Sequence, residues 1–234
     1  MPSQFHKHFA AEVCIGLDKP LKIRLASDAD FTLAQCFALS PNAAHEIDAS
    51  ATNIVVAWSE IKRYARANAL LVLLPDIPIA AWPEFKPFTD TSTPDQATAR
   101  VLFERIFAAA GLGESGQMDD RIAQTIQRVR AIKQNTDLPT VAQLAQEAHL
   151  SVGRFRHLFQ AQMGLSAQRY LLWQQLLSAL DGATAGYTLT QAAHSAGFAD
   201  AAHFSRVFRA SFGLRAADIF KLSHVVQVIP DKNS

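Results

Sequence analysis

Cysteine is nearly absent from this sequence: 234 residues contain only Cys14 and Cys36. Two early thiols give no disulfide framework, and they read as buried, reduced thiols of a cytoplasmic protein rather than as a disulfide or metal pair. Long apolar runs are also missing. None approaches the ~20 residues that a membrane helix needs. The opening Met-Pro-Ser-Gln-Phe-His lacks the basic and apolar regions of a signal peptide. Net charge is low as well, at +1, but it conceals an asymmetry. Residues 1–116 hold ten Lys/Arg against thirteen Asp/Glu, a balance of −3, and residues 117–222 hold eleven against seven, a balance of +4. A mildly acidic half joined to a basic half fits a sensor attached to a nucleic-acid binder. The apolar fraction of 49% is enough for a buried core.

The last hundred residues contain one pattern twice. Ala145, Ala148 and Leu150 recur 48 residues later as Ala193, Ala196 and Phe198. After one added residue, Phe155, Phe159 and Gly164 recur as Phe204, Phe208 and Gly213. Each copy reads as a short helix, a tight turn and a second helix, which is the form that places a helix in a DNA major groove. Ser151 and Asp200 are suited to cap the second helices. Gly197 stands where the turn needs a positive φ, and His149 is its counterpart. Phe155, Leu158 and Phe159, and then Phe204, Val207 and Phe208, fall on one face as core. The opposite faces hold Gly153, Arg154, Arg156, His157 and Gln160 in the first copy, and Ala201, Ala202, Ser205, Arg206 and Arg209 in the second. Small residues permit close approach, arginine can read guanine, and alanine can touch a thymine methyl.

Upstream, Glu12–Leu17 and Leu21–Leu25 read as strands joined by a hairpin turn at Asp18-Lys-Pro20. Phe31–Leu39 reads as one or two more, and Asn53–Trp58 as another. Ser59 onward could start a helix, and Leu70–Leu74 could equally be a strand. Prolines 75, 78, 83, 87 and 94 then break regular structure. Thr93-Pro94-Asp95 reads as a cap with proline at the first helical position, opening a helix whose apolar face is Val101, Leu102, Ile106 and Phe107. Gly111–Gly116 reads as a linker. Met118–Lys133 is amphipathic through Ile122, Ile126, Val129 and Ile132, and Ser166–Leu180 is a long helix ended by Asp181-Gly182.

The repeat resembles the DNA-binding domain of the AraC/XylS family of bacterial transcriptional regulators. The residues that carry the resemblance are Leu144-Ala145, Ala148, Leu150-Ser151, Phe155, Leu158-Phe159 and Gly164-Leu165-Ser166. They continue through Tyr170-Leu-Leu-Trp173, Ala193, Ala196-Gly197-Phe198, His203–Arg209 and Phe212-Gly213-Leu214. The resemblance implies seven helices, and two reading helices inserted into adjacent major grooves on one face of the DNA. It also implies a cupin-like sensory barrel at the N-terminus. Three departures stand out: His157 replaces the usual arginine, Arg215-Ala216 replaces Ser/Thr-Pro, and Gln174-Gln175 occupy positions where arginines are common.

His6-Lys-His8 followed by Glu12 has the His-x-His-x3-Glu spacing of a cupin metal motif, and His45 could supply a distant fourth donor. Three uses of the barrel stay open: a small organic effector, a divalent metal, or association alone or an unrecognised signal. Trp58 and Trp82 could line a pocket, although barrel core is the plainer reading.

The expected architecture is therefore α+β. A cupin-like antiparallel barrel spans 1–92, a helix and linker suited to dimerisation span 93–116, and the double helix-turn-helix domain spans 117–222. The expected function is a one-component, cytoplasmic, effector-responsive regulator without enzymatic activity, activator or repressor. Its partners would be promoter duplex DNA, RNA polymerase if it activates, and a second copy of itself. The rival is a metal-dependent cupin enzyme, or a metal sensor, fused to a DNA-binding domain.

Overall fold

The computed structural model describes residues 2–59, 71–74, 83–85, 95–110, 118–132 and 138–222. The chain divides into two compact units, one built mainly from residues 1–115 and the other mainly from 116–234.

In the first unit the strands are β1 (Ala11–Gly16), β2 (Leu21–Arg24), β3 (Thr32–Ala34), β4 (Cys36–Leu39), β5 (Glu46–Asp48), β6 (Ile54–Ser59) and β7 (Leu71–Leu73). They form two antiparallel sheets, ordered β6-β1-β4-β7 and β3-β2-β5. The helix α1 (Gln96–Ala109) follows. Every residue of β1 is buried, because both faces of its sheet are covered. Val13, Ile15, Cys36 and Ala38 pack against Leu102, Ile106, Phe107 and Ala110 at α1. On the other face, Cys14, Phe37 and Leu39 meet Leu21, Ile23 and Ile47 of the smaller sheet. Burying Leu102, Ile106 and Phe107 contributes about 2 kcal/mol each before entropy is charged.

Three readings need correction here. Asp18-Lys-Pro20 is not a hairpin turn. β1 pairs with β4 and β6 while β2 pairs with β3 and β5, so the chain changes sheets at this point. The crossing is fastened to the loop before β6, where Thr52 Oγ1 accepts from the Asp18 N–H at 3.0 Å and Asn53 Nδ2 donates to Asp18 Oδ2 at 3.1 Å. At the head of α1, the cap is Asp95 itself, accepting from the Thr98 N–H at 2.8 Å. The helix therefore starts after Thr93-Pro94, which lie outside the described residues. Val101 is 42% exposed, and α1 buries Leu102, Ile106 and Phe107 instead. β5 was not expected. Its three residues are too few to show an alternation. The expected helix after Ser59, the linker Gly111–Gly116, Trp82 and the tail beyond Leu222 also lie outside the described residues.

The second unit is helical: α2 (Asp120–Arg130), α3 (Val141–Glu147), α4 (Val152–Met163), α5 (Ala167–Thr184), α6 (Leu189–Ser195), α7 (Ala201–Phe212) and α8 (Ala216–Leu222). Among the described residues this makes seven helices, the number that the family resemblance implies. α2 buries Ile122, Thr125, Ile126 and Val129. α5 runs through Asp181-Gly182 to Thr184. A Cβ on Gly182 would lie 3.3 Å from the Tyr187 ring and 3.5 Å from Ala192, so this glycine admits a close neighbour and does not end the helix. The stop is Gly186, at φ 98°, with the Tyr187 N–H donating back to the Gly182 carbonyl at 3.1 Å.

Candidate functional site

The two copies are built alike at the backbone. α3 and α6 both open with a capping box: Thr140 with Gln143 and Thr188 with Gln191 exchange side-chain and backbone bonds. The T-x-x-Q spacing was visible in the sequence, and sequence reasoning passed over it. The turns reach φ 52° at His149 and 82° at Gly197, and both second helices are followed by a left-handed glycine, Gly164 at 71° and Gly213 at 68°. Ser151 caps α4, accepting from the Arg154 N–H, and Asp200 accepts from the His203 N–H at α7.

The two turns predict opposite responses. A left-handed conformation costs a non-glycine residue roughly 1–2 kcal/mol. Gly197→Ala should therefore lower domain stability by about that amount, whereas His149→Gly should not lower it. Thermal unfolding of the two variants measures the contrast. Equal losses from both substitutions would refute the strain account.

Beneath each second helix lies an aromatic core. Phe155 and Phe159 are fully buried, with ring centroids 5.6 Å apart, and Phe159 continues to Tyr170 of α5 at 5.6 Å. Phe198, Phe204 and Phe208 form the matching stack, at 5.3 and 5.5 Å. Leu158 and Val207 are half-buried and sit at the edge of these cores. With the aromatic faces anchored, the opposite faces are held outward. Gly153, Arg154, Arg156, His157, Gln160, Ala202, Ser205, Arg206 and Arg209 are exposed, and Ala201 is half-buried.

Two departures from the family pattern acquire local roles. Gln175 Nε2 donates to the Gly197 carbonyl at 3.3 Å, tying the joining helix to the second turn. Arg215 pairs with Asp218 at 2.7 Å, at the head of α8.

In the first unit the structure brings together the four residues of the predicted metal motif. The backbones of His6 and His45 form an antiparallel bridge, and β1 turns Glu12 toward the interior between the sheets. His8 Nε2 lies 2.7 Å from Glu12 Oε2, and His45 Nε2 lies 3.1 Å from the same oxygen. The second contact is at ion-pair distance but is not aligned as a hydrogen bond, so His45 Nε2 is buried without a hydrogen-bond partner. Each imidazole holds its other nitrogen, Nδ1, against a backbone carbonyl: Gln4 for His6, Ala10 for His8 and Ala43 for His45, at 2.8, 2.8 and 2.9 Å. Cys14 was not expected here. It shares the Glu12 face of β1, and its thiol donates to Glu12 Oε1 at 3.2 Å.

Burial alone would raise the Glu12 carboxyl. The His8 charge, the bond from His8 and the close approach of His45 outweigh it and hold the group well below the usual carboxylate range. Burial, with the His45 charge beside it, lowers His6 to about 4. His45 is raised, because the adjacent Glu12 carboxylate overcomes its desolvation. Cys14 is pushed up by burial and by the adjacent carboxylate, which keeps it a thiol.

A double helix-turn-helix with polar, basic outward faces defines a class, the DNA-binding transcription regulators. More particularly, residues 144–221 match the model of a helix-turn-helix domain of AraC type. No curated protein sequence matches the chain. Among solved structures it is similar in fold to ToxT from Vibrio cholerae O395, at 15% identity and TM-score 0.63, covering 96% of this chain and 95% of that one. ToxT from strain SCE256 with an unsaturated fatty acid bound gives 13% identity and TM-score 0.61, covering 97% and 94%. An apo variant from the same strain gives 13% and 0.65, covering 95% and 94%. At these identities the likeness is one of fold. Among the described residues, no helix is long and apolar enough to cross a membrane.

Proposed function

We propose that this protein is a one-component regulator that reads promoter DNA with α4 and α7 and answers to a ligand held in its N-terminal domain. The carrying observation is the duplication. Two equally capped hairpins, each with an aromatic core on one side, present Gly153, Arg154, Arg156, His157 and Gln160, and Ala201, Ala202, Ser205, Arg206 and Arg209, on the other. Adjacent major grooves are the natural target of such a pair. RNA polymerase is the further partner if the protein activates. The mainly apolar stretch from 97 to 110 gives most of its apolar face to its own sheet. A homodimer would therefore have to use other surface, with Val101 an exposed large apolar residue of that helix. A ligand-responsive N-terminal domain agrees with the fold shared with ToxT, which is known with a fatty acid bound.

The reading helices are unequal. α7 carries Arg206 and Arg209, while α4 has His157 where the resembled family has arginine. Arg206→Ala should weaken binding to the specific duplex by about 1–3 kcal/mol, roughly five- to 150-fold, if this side chain reads a base. Fluorescence anisotropy on a footprinted upstream fragment, repeated across salt concentrations, tests the assignment. An unchanged Kd would remove Arg206 from the interface. Absence of any specific fragment, with no steep salt dependence, would remove the DNA-reading proposal as a whole.

A further inference from the structure

We infer that His6, His8 and His45, together with Glu12, form a binding site for one divalent first-row transition-metal ion. The inference stands on the N-terminal unit alone and does not depend on how the helical domain reads DNA.

Four observations converge. First, the three imidazoles place donor atoms within 4.8 Å of one another. Second, each Nδ1 is engaged by a backbone carbonyl, the outer contact that fixes the tautomer of a metal-ligating histidine and presents Nε2 inward. Third, Glu12 Oε2 lies 2.7 and 3.1 Å from the Nε2 atoms of His8 and His45. Donors bound to one ion at about 2.0–2.2 Å sit roughly 3 to 3.5 Å from each other, so a small inward or outward adjustment completes the set. Fourth, His45 is 0% exposed and its Nε2 has no hydrogen-bond partner. A buried ring nitrogen without a partner is costly unless something else satisfies it.

The donor set selects the ligand class. Three imidazoles and one carboxylate suit Zn, Ni, Co, Fe or Mn in the divalent state, and they suit Mg and Ca poorly, since those favour all-oxygen shells. The neighbouring Cys14 Sγ is turned to Glu12 Oε1, at 3.2 Å. All four donors are nearly closed from solvent, with His6 the most accessible at 9%. A closed set of this kind is suited to a structural or sensing ion more than to a catalytic one, which needs an open position.

The test uses the tag-free, full-length chain stripped with chelator. Co(II), Zn(II), Ni(II), Mn(II) and Mg(II) are added singly and followed by calorimetry, by the visible bands of bound Co(II) and by the melting temperature. Trp58 gives an optical report, because its ring lies 6.4 Å from that of His8 and paramagnetic Co(II) or Ni(II) should quench it. The expected result is one transition-metal ion per chain, a raised melting temperature and no response to Mg(II). His45→Asn should abolish stoichiometric binding. His6→Gln, at the more accessible edge of the cluster, should weaken it at least tenfold and keeps the test alive if the first variant does not fold. The proposal is overturned if the native chain takes up none of these ions stoichiometrically, or if a folded His6→Gln or His45→Asn chain binds them as the native chain does.

Discussion

Phe204→Ala should destabilise the helical domain by about 3–5 kcal/mol, the usual cost of deleting a fully buried aromatic ring. Phe204 is 2% exposed and is stacked between Phe198 and Phe208, so the vacated volume is bounded by rings that are themselves packed. A domain of this size holds only about 5–15 kcal/mol in total. The variant should therefore lose DNA binding along with its stability, because the face carrying Arg206 is held outward by the face carrying Phe204. This pattern separates core from contact: Arg206→Ala should lose affinity with its unfolding curve intact. Urea denaturation and duplex titration on both variants measure the difference. A Phe204→Ala chain that unfolds within 1 kcal/mol of the native protein would show that the stack does not support the reading helix.

In metal-free protein, Glu12→Ala should cost about 3–5 kcal/mol, the range seen when one member of a buried ion pair is removed. Its carboxylate lies 2.7 Å from His8 and 3.1 Å from His45, with side-chain exposures of 4%, 1% and 0%. Deleting it leaves two imidazoles in the core without the carboxylate that faces them, and removes the hydrogen-bond partner of His8 Nε2. Replacing the whole cluster, with Glu12, His8 and His45 all made leucine, should restore much of the loss, since a packed apolar group avoids the desolvation that the ionic cluster bears. Comparing urea midpoints for the single and triple variants measures this. A single variant as stable as the native chain would mean that the cluster is not held together by Glu12.

The helical domain was the more legible half of the sequence, and the reasons are local. The 3.6-residue period set Phe155 and Phe159 on one side and Arg156 and Gln160 on the other, and the duplicated turn marked both copies. Where the reading failed, a residue had two physical uses. Asp181-Gly182 looked like a terminator, but Gly182 is small because Tyr187 and Ala192 approach it. In the N-terminal domain, strands were legible from their β-branched and apolar residues, but their partners were not. Asp18-Lys-Pro20 has hairpin composition, yet the chain uses it to pass between sheets. Pairing is set by which faces must be buried together, and that is a long-range condition. Residues such as Val101 show the same limit on a smaller scale: the sequence offered four apolar positions, and the sheet accepted three of them.

The histidine cluster divides the two kinds of information most clearly. The spacing of His6, His8 and Glu12 was enough to name them, because alternate residues of an extended chain share a side and His-x-His needs only local geometry. The sequence likewise fixed the double helix-turn-helix and its outward basic faces, since helix period, caps and left-handed glycines all act within a few residues. Only the tertiary structure brought His45 across to His6 by a backbone bridge and enclosed Glu12 between two sheets. It also left one imidazole nitrogen buried without a hydrogen-bond partner. Those outcomes depend on strands distant in sequence burying their apolar faces against each other, and no local pattern encodes which of them will meet.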